Sequence, residues 1–317
     1  MKIGVLTSGN DAQGMNACIR AIVRCADASG HNVYGFYDGY RGLVEGRFLA
    51  LDRKKVAGKL DKAGSILGVA KLPEFKYEQV RKMALNEIKK NEIDCLICIG
   101  GDGTYRGAMG LASLGVNVIT IPSSIDNNIP SSDHSIGFST ALAAAVEAVD
   151  RLRDTSISHQ WCSVVEVPGN DSMELALYLG LATGAEYVIT KETGFDKEKL
   201  LNDLKEDHLK GRKHSLVIIS EGLTDVYALA KEIESYSSYE CRSTILGYVL
   251  RGGSPSPEDR IRASRLGAYA VKLINEKKFG VATGIIKNEM VATPLDSSLT
   301  LSEKPNEELK QLLHYIK

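Results

Sequence analysis

Cys95-Leu-Ile-Cys-Ile-Gly-Gly-Asp-Gly-Thr104 joins a short apolar run to a glycine-rich turn, and a helical pattern follows it. The run Cys95–Ile99 has the length and the apolar character of a buried strand. The glycines after it let backbone N–H groups approach a phosphate closely, and the first turn of the next helix adds positive potential. Asp102, inside the turn, is a natural Mg²⁺ ligand, directly or through water. A tight turn that holds no ligand uses the same residue types. Cys95 and Cys98 also form a CxxC, which invites a metal or redox role. Within a strand, residues three apart point to opposite faces, so inert core thiols account for the pair better.

The same alternation recurs along the chain. Strand-like runs occur at Lys2–Leu6, Val33–Tyr37, Val118–Ile121, Ser163–Val167, Tyr187–Ile189 and Ser215–Ile219. Amphipathic helical patterns lie between them at Met15–Ala28, Tyr77–Lys90, Thr140–Asp154 and Lys197–Leu209. This predicts βαβ units in an α/β fold, with mainly parallel sheets flanked by helices. Ligands in such folds sit beyond the carboxyl ends of the strands. The glycine-rich turns fall there, at Ser8–Gly14, Gly100–Thr104 and Arg251–Ser254. No internal repeat or Pro/Gly/Ser linker marks a boundary.

At 317 residues the chain has material for one large domain or two lobes, and 44% hydrophobic with 25% charged residues is an ordinary globular composition. The formal net charge of −1 gives no bulk attraction to nucleic acid or an anionic membrane, so neither is an expected partner. The start MKIGVLTSGNDAQG opens directly into a strand pattern, and no stretch approaches the roughly 18 apolar residues of a membrane span. Six cysteines without dense spacing fit a reducing, cytoplasmic setting.

A second motif, Ile121-Pro-Ser-Ser-Ile-Asp126-Asn-Asn128, follows another strand. A carboxylate at Asp126, beside the Ser124 hydroxyl, can take a proton from a substrate alcohol during phosphoryl transfer. It can equally cap a turn with Asn127.

Taken in order, Gly4–Gly9, Gly14–Asn16, Tyr37–Tyr40, Pro73–Phe75, Gly100–Gly103, Ser124–Asn127, Asp150–Thr155, Val164–Val167 and Arg251–Pro255 resemble the bacterial ATP-dependent 6-phosphofructokinases, from residue 1 to about Ala270. The resemblance implies the phosphofructokinase fold, with two Rossmann-like lobes. The larger, nucleotide-binding lobe would be 1–138 plus 251–301, and the smaller sugar-phosphate lobe 139–250 plus 302–317. It implies transfer of the γ-phosphoryl of MgATP to fructose 6-phosphate in a homotetramer, with Mg²⁺ and ATP or ADP as cofactors. By position, Asp126 would be the base, with Ser124 beside it, and Asp102 would hold Mg²⁺. Gly9, Asn10, Tyr40, Lys71, Gly101, Gly103, Thr104 and Gly107 would line the nucleotide site. Glu221 and Arg251 would contact the sugar, and Arg242 a neighbouring subunit's 6-phosphate. Gly103 favours ATP, because pyrophosphate-using relatives usually carry aspartate there.

Several positions depart from the family pattern. Asn10 replaces a glycine, and its tolerance of left-handed geometry softens the change. Lys71 replaces an arginine and loses its bidentate fork. Asn128 replaces an aspartate. On the sugar side, Trp161 replaces an arginine, Tyr248 a histidine, and Pro168-Gly-Asn170 stands for Met-Gly-Arg. A positioned cation of the kind lost at Asn170 is worth about 10³–10⁵ in rate in other phosphoryl-transfer enzymes. Each lost charge-assisted hydrogen bond costs roughly 1.5–3 kcal/mol, so two or three weaken sugar-phosphate binding by about two to six orders of magnitude if additive. Weak or absent catalysis on fructose 6-phosphate is the expectation; a working pocket repacked around these residues, or a less charged acceptor, is the alternative.

The family's effector site, between subunits, corresponds to Arg20, Arg24 and Arg153, with Lys210, Arg212 and Lys213 facing them and Glu186 helping to ligate the effector's Mg²⁺. An exposed helix face explains Arg20 and Arg24 alone. The whole set in register suggests a kept site for ADP or a phosphocarboxylate. A scaffold of this kind could act as a regulatory member in a mixed tetramer with an ordinary paralogue.

Overall fold

Strand Cys95–Gly100 is buried at every position and lies at the middle of a sheet in the computed structural model, which describes residues 1–169, 172–301 and 307–315. In chain order the elements are β1 (Lys2–Ser8), α1 (Met15–Ala28), β2 (Asn32–Phe36), α2 (Tyr40–Glu45), β3 (Phe48–Leu51), α3 (Glu78–Lys90), β4 (Cys95–Gly100), α4 (Asp102–Ala112), β5 (Val118–Pro122), α5 (Phe138–His159), β6 (Cys162–Val167), α6 (Glu174–Thr183), β7 (Tyr187–Ile189), α7 (Lys197–Leu209), β8 (Ser215–Ser220), α8 (Val226–Ser237), β9 (Cys241–Ile245), α9 (Pro257–Asn275), β10 (Val281–Ile286), β11 (Glu289–Pro294) and α10 (Glu307–Tyr315).

The chain divides into two compact units, Met1–Thr140 with Arg251–Lys304, and Ala141–Leu250 with Pro305–Lys317. The first carries a sheet of order β11-β10-β5-β4-β1-β2-β3. Its central pairs are parallel, and antiparallel hairpins β2–β3 and β10–β11 close both edges. The second carries a parallel sheet of order β7-β8-β6-β9. The α/β class with mainly parallel sheets therefore holds. The long helix expected at Thr140–Asp154 extends to Phe138–His159.

Side-chain alternation along β1 and β4 feeds two apolar layers. Ile3, Val5, Cys95, Ile97 and Ile99 join Met15, Ile19, Ile22, Leu266 and Leu273 of α1 and α9 on one face. Leu6, Leu96 and Cys98 join Phe36, Leu43, Tyr105 and Leu111 on the other. Cys95 and Cys98 thus sit in different layers, and burial pushes both thiols up to about 12. A redox or metal pair is ruled out for them by this geometry; among the described residues all six cysteines are unpaired.

Helix starts follow from caps. Asp196 accepts from the Lys199 N–H at 3.0 Å to open α7, and Asp225 accepts from Tyr227 and Ala228 to open α8. Ser256 caps α9, with Pro257 at its first position.

Candidate functional site

Register levels the carboxyl ends of the three central strands of the first unit. Ser8 of β1 pairs with Gly100 of β4, and Gly100 pairs with Pro122 of β5. The turns leaving these strands, Gly9-Asn10, Gly101–Thr104 and Ser123–Asn128, are brought together there. The Ser123 N–H donates to Gly100 O at 3.1 Å, and a Cβ on Gly101 would lie 3.9 Å from the Ser124 Cβ.

Each glycine of the turn has its own reason. A Cβ on Gly100 would meet the Ser8 carbonyl oxygen at 2.5 Å, so close packing of β1 on β4 demands a glycine. A Cβ on Gly103 would meet nothing within 4 Å. The fold therefore does not need a glycine there. Thr104 donates its hydroxyl to Ser8 O at 3.0 Å, and Tyr40 donates to Thr104 O at 2.5 Å. The Tyr40 ring stacks on Phe75 at 4.1 Å and fills the space beside Gly107. Burial raises the Tyr40 phenol well above its usual range. Tyr40 and Phe75 thus buttress α4 from behind, against its Gly107.

At the start of α4, Asp102 is gripped by Arg106, whose Nε and Nη2 reach Oδ2 at 3.2 and 3.1 Å. The pair is exposed, at 47% and 71% of the side chains, and one helical turn apart, so it contributes only about 0.3–0.5 kcal/mol. Among the described residues no group of three or more His, Cys, Asp or Glu is placed to hold a metal. One exposed carboxylate at a helix N-terminus suits Mg²⁺ all the same, because that ion keeps waters and takes its remaining ligands from phosphate oxygens. Asp102 would supply the protein ligand, and the ion would supply charge neutralisation at the phosphates.

The Asp126 loop is ordered by its own side chains. Ser124 Oγ donates to Asn128 Oδ1 at 3.1 Å and accepts the Asp126 N–H at 3.2 Å. Asn127, at φ 52°, accepts the Ser135 N–H at 2.6 Å and donates to Asp133 O at 2.9 Å. Asn127 therefore anchors the turn, and Asp126 is buried to 8% exposure beside Ser124. The backbone freedom expected at Asn10 is not used: the left-handed residue is Gly9, at φ 88°, and Asn10 is absent from the positive-φ positions among the described residues. Asn10 is exposed, as is Lys71.

In the second unit, Trp161 donates its indole N–H to Ser156 Oγ at 2.8 Å and stacks on His159 with centroids 4.6 Å apart. The guanidinium of Arg242 lies 5.3 Å from the Trp161 ring centre, donates to Cys241 O at 3.0 Å and is ion-paired with Glu240. Glu166 lies near the end of β6 and Glu221 just after β8, and burial, then Glu221 and Asp225, raises the Glu166 carboxyl above its ordinary value. Pro168 follows β6 and is buried, Tyr248 is 87% exposed, and Asn170 lies outside the described residues.

The chain matches the family model "Phosphofructokinase" over residues 2–274. The chain belongs to the phosphofructokinase family. It is 46% identical over 304 residues to the ATP-dependent 6-phosphofructokinase of Vibrio campbellii, covering 96% of this chain and 95% of that protein. To the ATP-dependent 6-phosphofructokinase of Tolumonas auensis it is 48% identical over 312 residues, covering 98% of each. Among solved structures it resembles the phosphofructokinase of Saccharomyces cerevisiae, with a TM-score of 0.86 and 31% identity, over 99% of this chain and 47% of that one. The chain thus spans about half the length of that yeast relative.

Within a phosphofructokinase, the expected effector residues fall on both units. Arg20 and Arg24 lie on α1, and Arg24 Nε is buried without a hydrogen-bond partner. Arg153, Glu186, Lys210, Arg212 and Lys213 belong to the second unit. Glu186 is already engaged: Oε1 pairs with Arg212 at 2.7 Å and Oε2 accepts the Leu216 N–H at 2.8 Å. A metal there would have to displace Arg212. Arg251 ends the short turn Gly247–Arg251. Sequence reasoning missed Arg106, although its spacing four residues after Asp102 was the available signal. It also missed Asp259, which is fully buried and accepts from Gly137 N, Thr140 N and Thr140 Oγ1.

Proposed function

We propose that this protein binds MgATP as phosphofructokinases do, at the Gly9, Gly101–Thr104 and Asp126 turns, and that its sugar-phosphate site is altered so that turnover of fructose 6-phosphate is slow or absent. The observation that carries the second half is Arg242, the one cation retained for the 6-phosphate. Its guanidinium is already neutralised by Glu240 and lies on Trp161, where the family has another cation. An incoming phosphate has to break that pair and gains no second cation in return. The open space at Gly103 supports ATP as the donor.

Asp126 is the proposed base, with Ser124 and Asn128 holding its loop and Asp102 the Mg²⁺ ligand. Lys71 is proposed to reach the nucleotide phosphates, and Glu221 and Arg251 the acceptor. Arg20, Arg24, Arg153, Lys210, Arg212 and Lys213 are proposed to bind an anionic effector such as ADP in a tetramer, with itself or with an ordinary paralogue.

Identities of 46–48% to enzymes named ATP-dependent 6-phosphofructokinase favour a second reading, an active kinase with a rebuilt pocket. One experiment separates them: steady-state turnover with MgATP over a wide range of fructose 6-phosphate, with and without ADP. Saturable turnover that Asp126→Ala abolishes supports the active kinase. No turnover, with ATP still raising the melting temperature, supports the altered site. Loss of nucleotide binding as well would sink both.

A further inference from the structure

Arg106 is the cation nearest in sequence to the Asp102 turn, and among the described residues Asp102 is its one partner. Both of its donating nitrogens converge on one carboxylate oxygen, Oδ2, and bring the guanidinium back to the first residue of α4. That position runs against the helix dipole, which favours anions at the N-terminus and cations at the other end. The guanidinium is therefore held at Asp102, the residue before Gly103, by a weak, exposed pair, while a Cβ on Gly103 would meet nothing within 4 Å.

We propose that Arg106 is a phosphate-binding residue of the nucleotide site. In the free protein it holds Asp102; once that carboxylate is given to a divalent cation, Arg106 turns to the polyphosphate. It supplies a planar, fork-shaped donor in a site where the expected arginine is Lys71. The assignment rests on the MgATP reading above, and its test separates the two.

The test is calorimetric titration with β,γ-imido-ATP, in Mg²⁺ and in EDTA, of the wild type, Arg106→Met, Arg106→Lys, Asp102→Asn and the Asp102→Asn/Arg106→Met double variant. Melting curves confirm that each is folded. In Mg²⁺, Arg106→Met loses about ten- to a hundredfold in affinity, and Arg106→Lys recovers part of it. In EDTA, Asp102→Asn tightens binding because Arg106 is released, and the gain is smaller in the double variant. Equal affinity of wild type and Arg106→Met in Mg²⁺, or an equal Asp102→Asn gain in both backgrounds, overturns the role of Arg106 and leaves a helix-surface ion pair. A wild type that binds no nucleotide overturns the MgATP reading itself and Arg106 with it.

Discussion

Arg242 rests its guanidinium 5.3 Å from the centre of the Trp161 ring, and His159 stacks on the same ring. A cation over an indole face is worth about 0.5–1 kcal/mol when exposed, and the Glu240 pair adds a comparable amount. These are small terms. They set the conformation of Arg242 without locking it, so a phosphate that brought enough binding energy could still recruit it.

Replacing Trp161 with arginine puts a second cation beside Arg242 and removes the ring that holds it. If the altered site limits turnover, Trp161→Arg lowers the KM for fructose 6-phosphate by about tenfold or more. Trp161→Phe, which keeps a ring, leaves KM unchanged. Steady-state kinetics of the two variants decide the matter; identical KM values would place the 6-phosphate elsewhere.

Gly100 and Gly103 are three residues apart and should respond in opposite ways to alanine. Gly100→Ala drives a Cβ against the Ser8 carbonyl and the Thr104 side chain, which backbone cannot yield cheaply. A loss of about 1–3 kcal/mol in urea unfolding is expected. Gly103→Ala meets nothing and gains about 0.4–1 kcal/mol from the unfolded state. Its affinity for ATP should fall nonetheless, and calorimetry measures that loss independently of stability.

Asp259 accepts from Gly137 N at 3.0 Å, Thr140 N at 2.8 Å and Thr140 Oγ1 at 2.6 Å, and pairs with Arg262 at 2.5 Å. Removing it leaves a largely buried guanidinium and several buried donors without that acceptor. Asp259→Ala should destabilise by about 3–5 kcal/mol in equilibrium unfolding. Arg262→Met should cost less, because the backbone donors to Asp259 remain.

The Glu166 carboxyl is raised above its ordinary value of 4.5, first by burial and then by Glu221 and Asp225. A raised carboxyl binds its proton more tightly in the folded state, so ionised Glu166 opposes folding at neutral pH. That penalty is relieved as pH falls through the raised value toward 4.5. Glu166→Gln should therefore raise the melting temperature at pH 7, with the difference shrinking as pH drops into that window. Melting curves across the range test it; a difference that grows on acidification would reverse the assignment.

The centre of the fold was legible because β1, β4 and β5 are buried on both sides and read as mainly apolar runs. Of the edge strands, β7 at Tyr187–Ile189 was legible and the others were not. Phe48–Leu51 is only partly buried, Cys241–Ile245 is mixed, and the hairpin β10–β11 lies beyond the clearest motifs. Their pairing is set by neighbours distant in sequence, which local pattern does not encode. At the candidate site, Asp102, Asp126 and the glycines were singled out by their motifs. What the sequence did not display was which side chain each would hold: Arg106 on Asp102, Asn128 on Ser124, Glu240 on Arg242. Asn10 showed the same limit, since only the backbone reveals that Gly9 makes the left-handed step.

Cys95 and Cys98 lie on one strand but in separate apolar layers. Each thiol stays shielded until its own side of the sheet opens. Under native conditions the labelling rates of the two sulfurs would thus time local opening on the α1–α9 side and on the α2–α4 side separately. The middle of β4 carries a reporter for each half of this core.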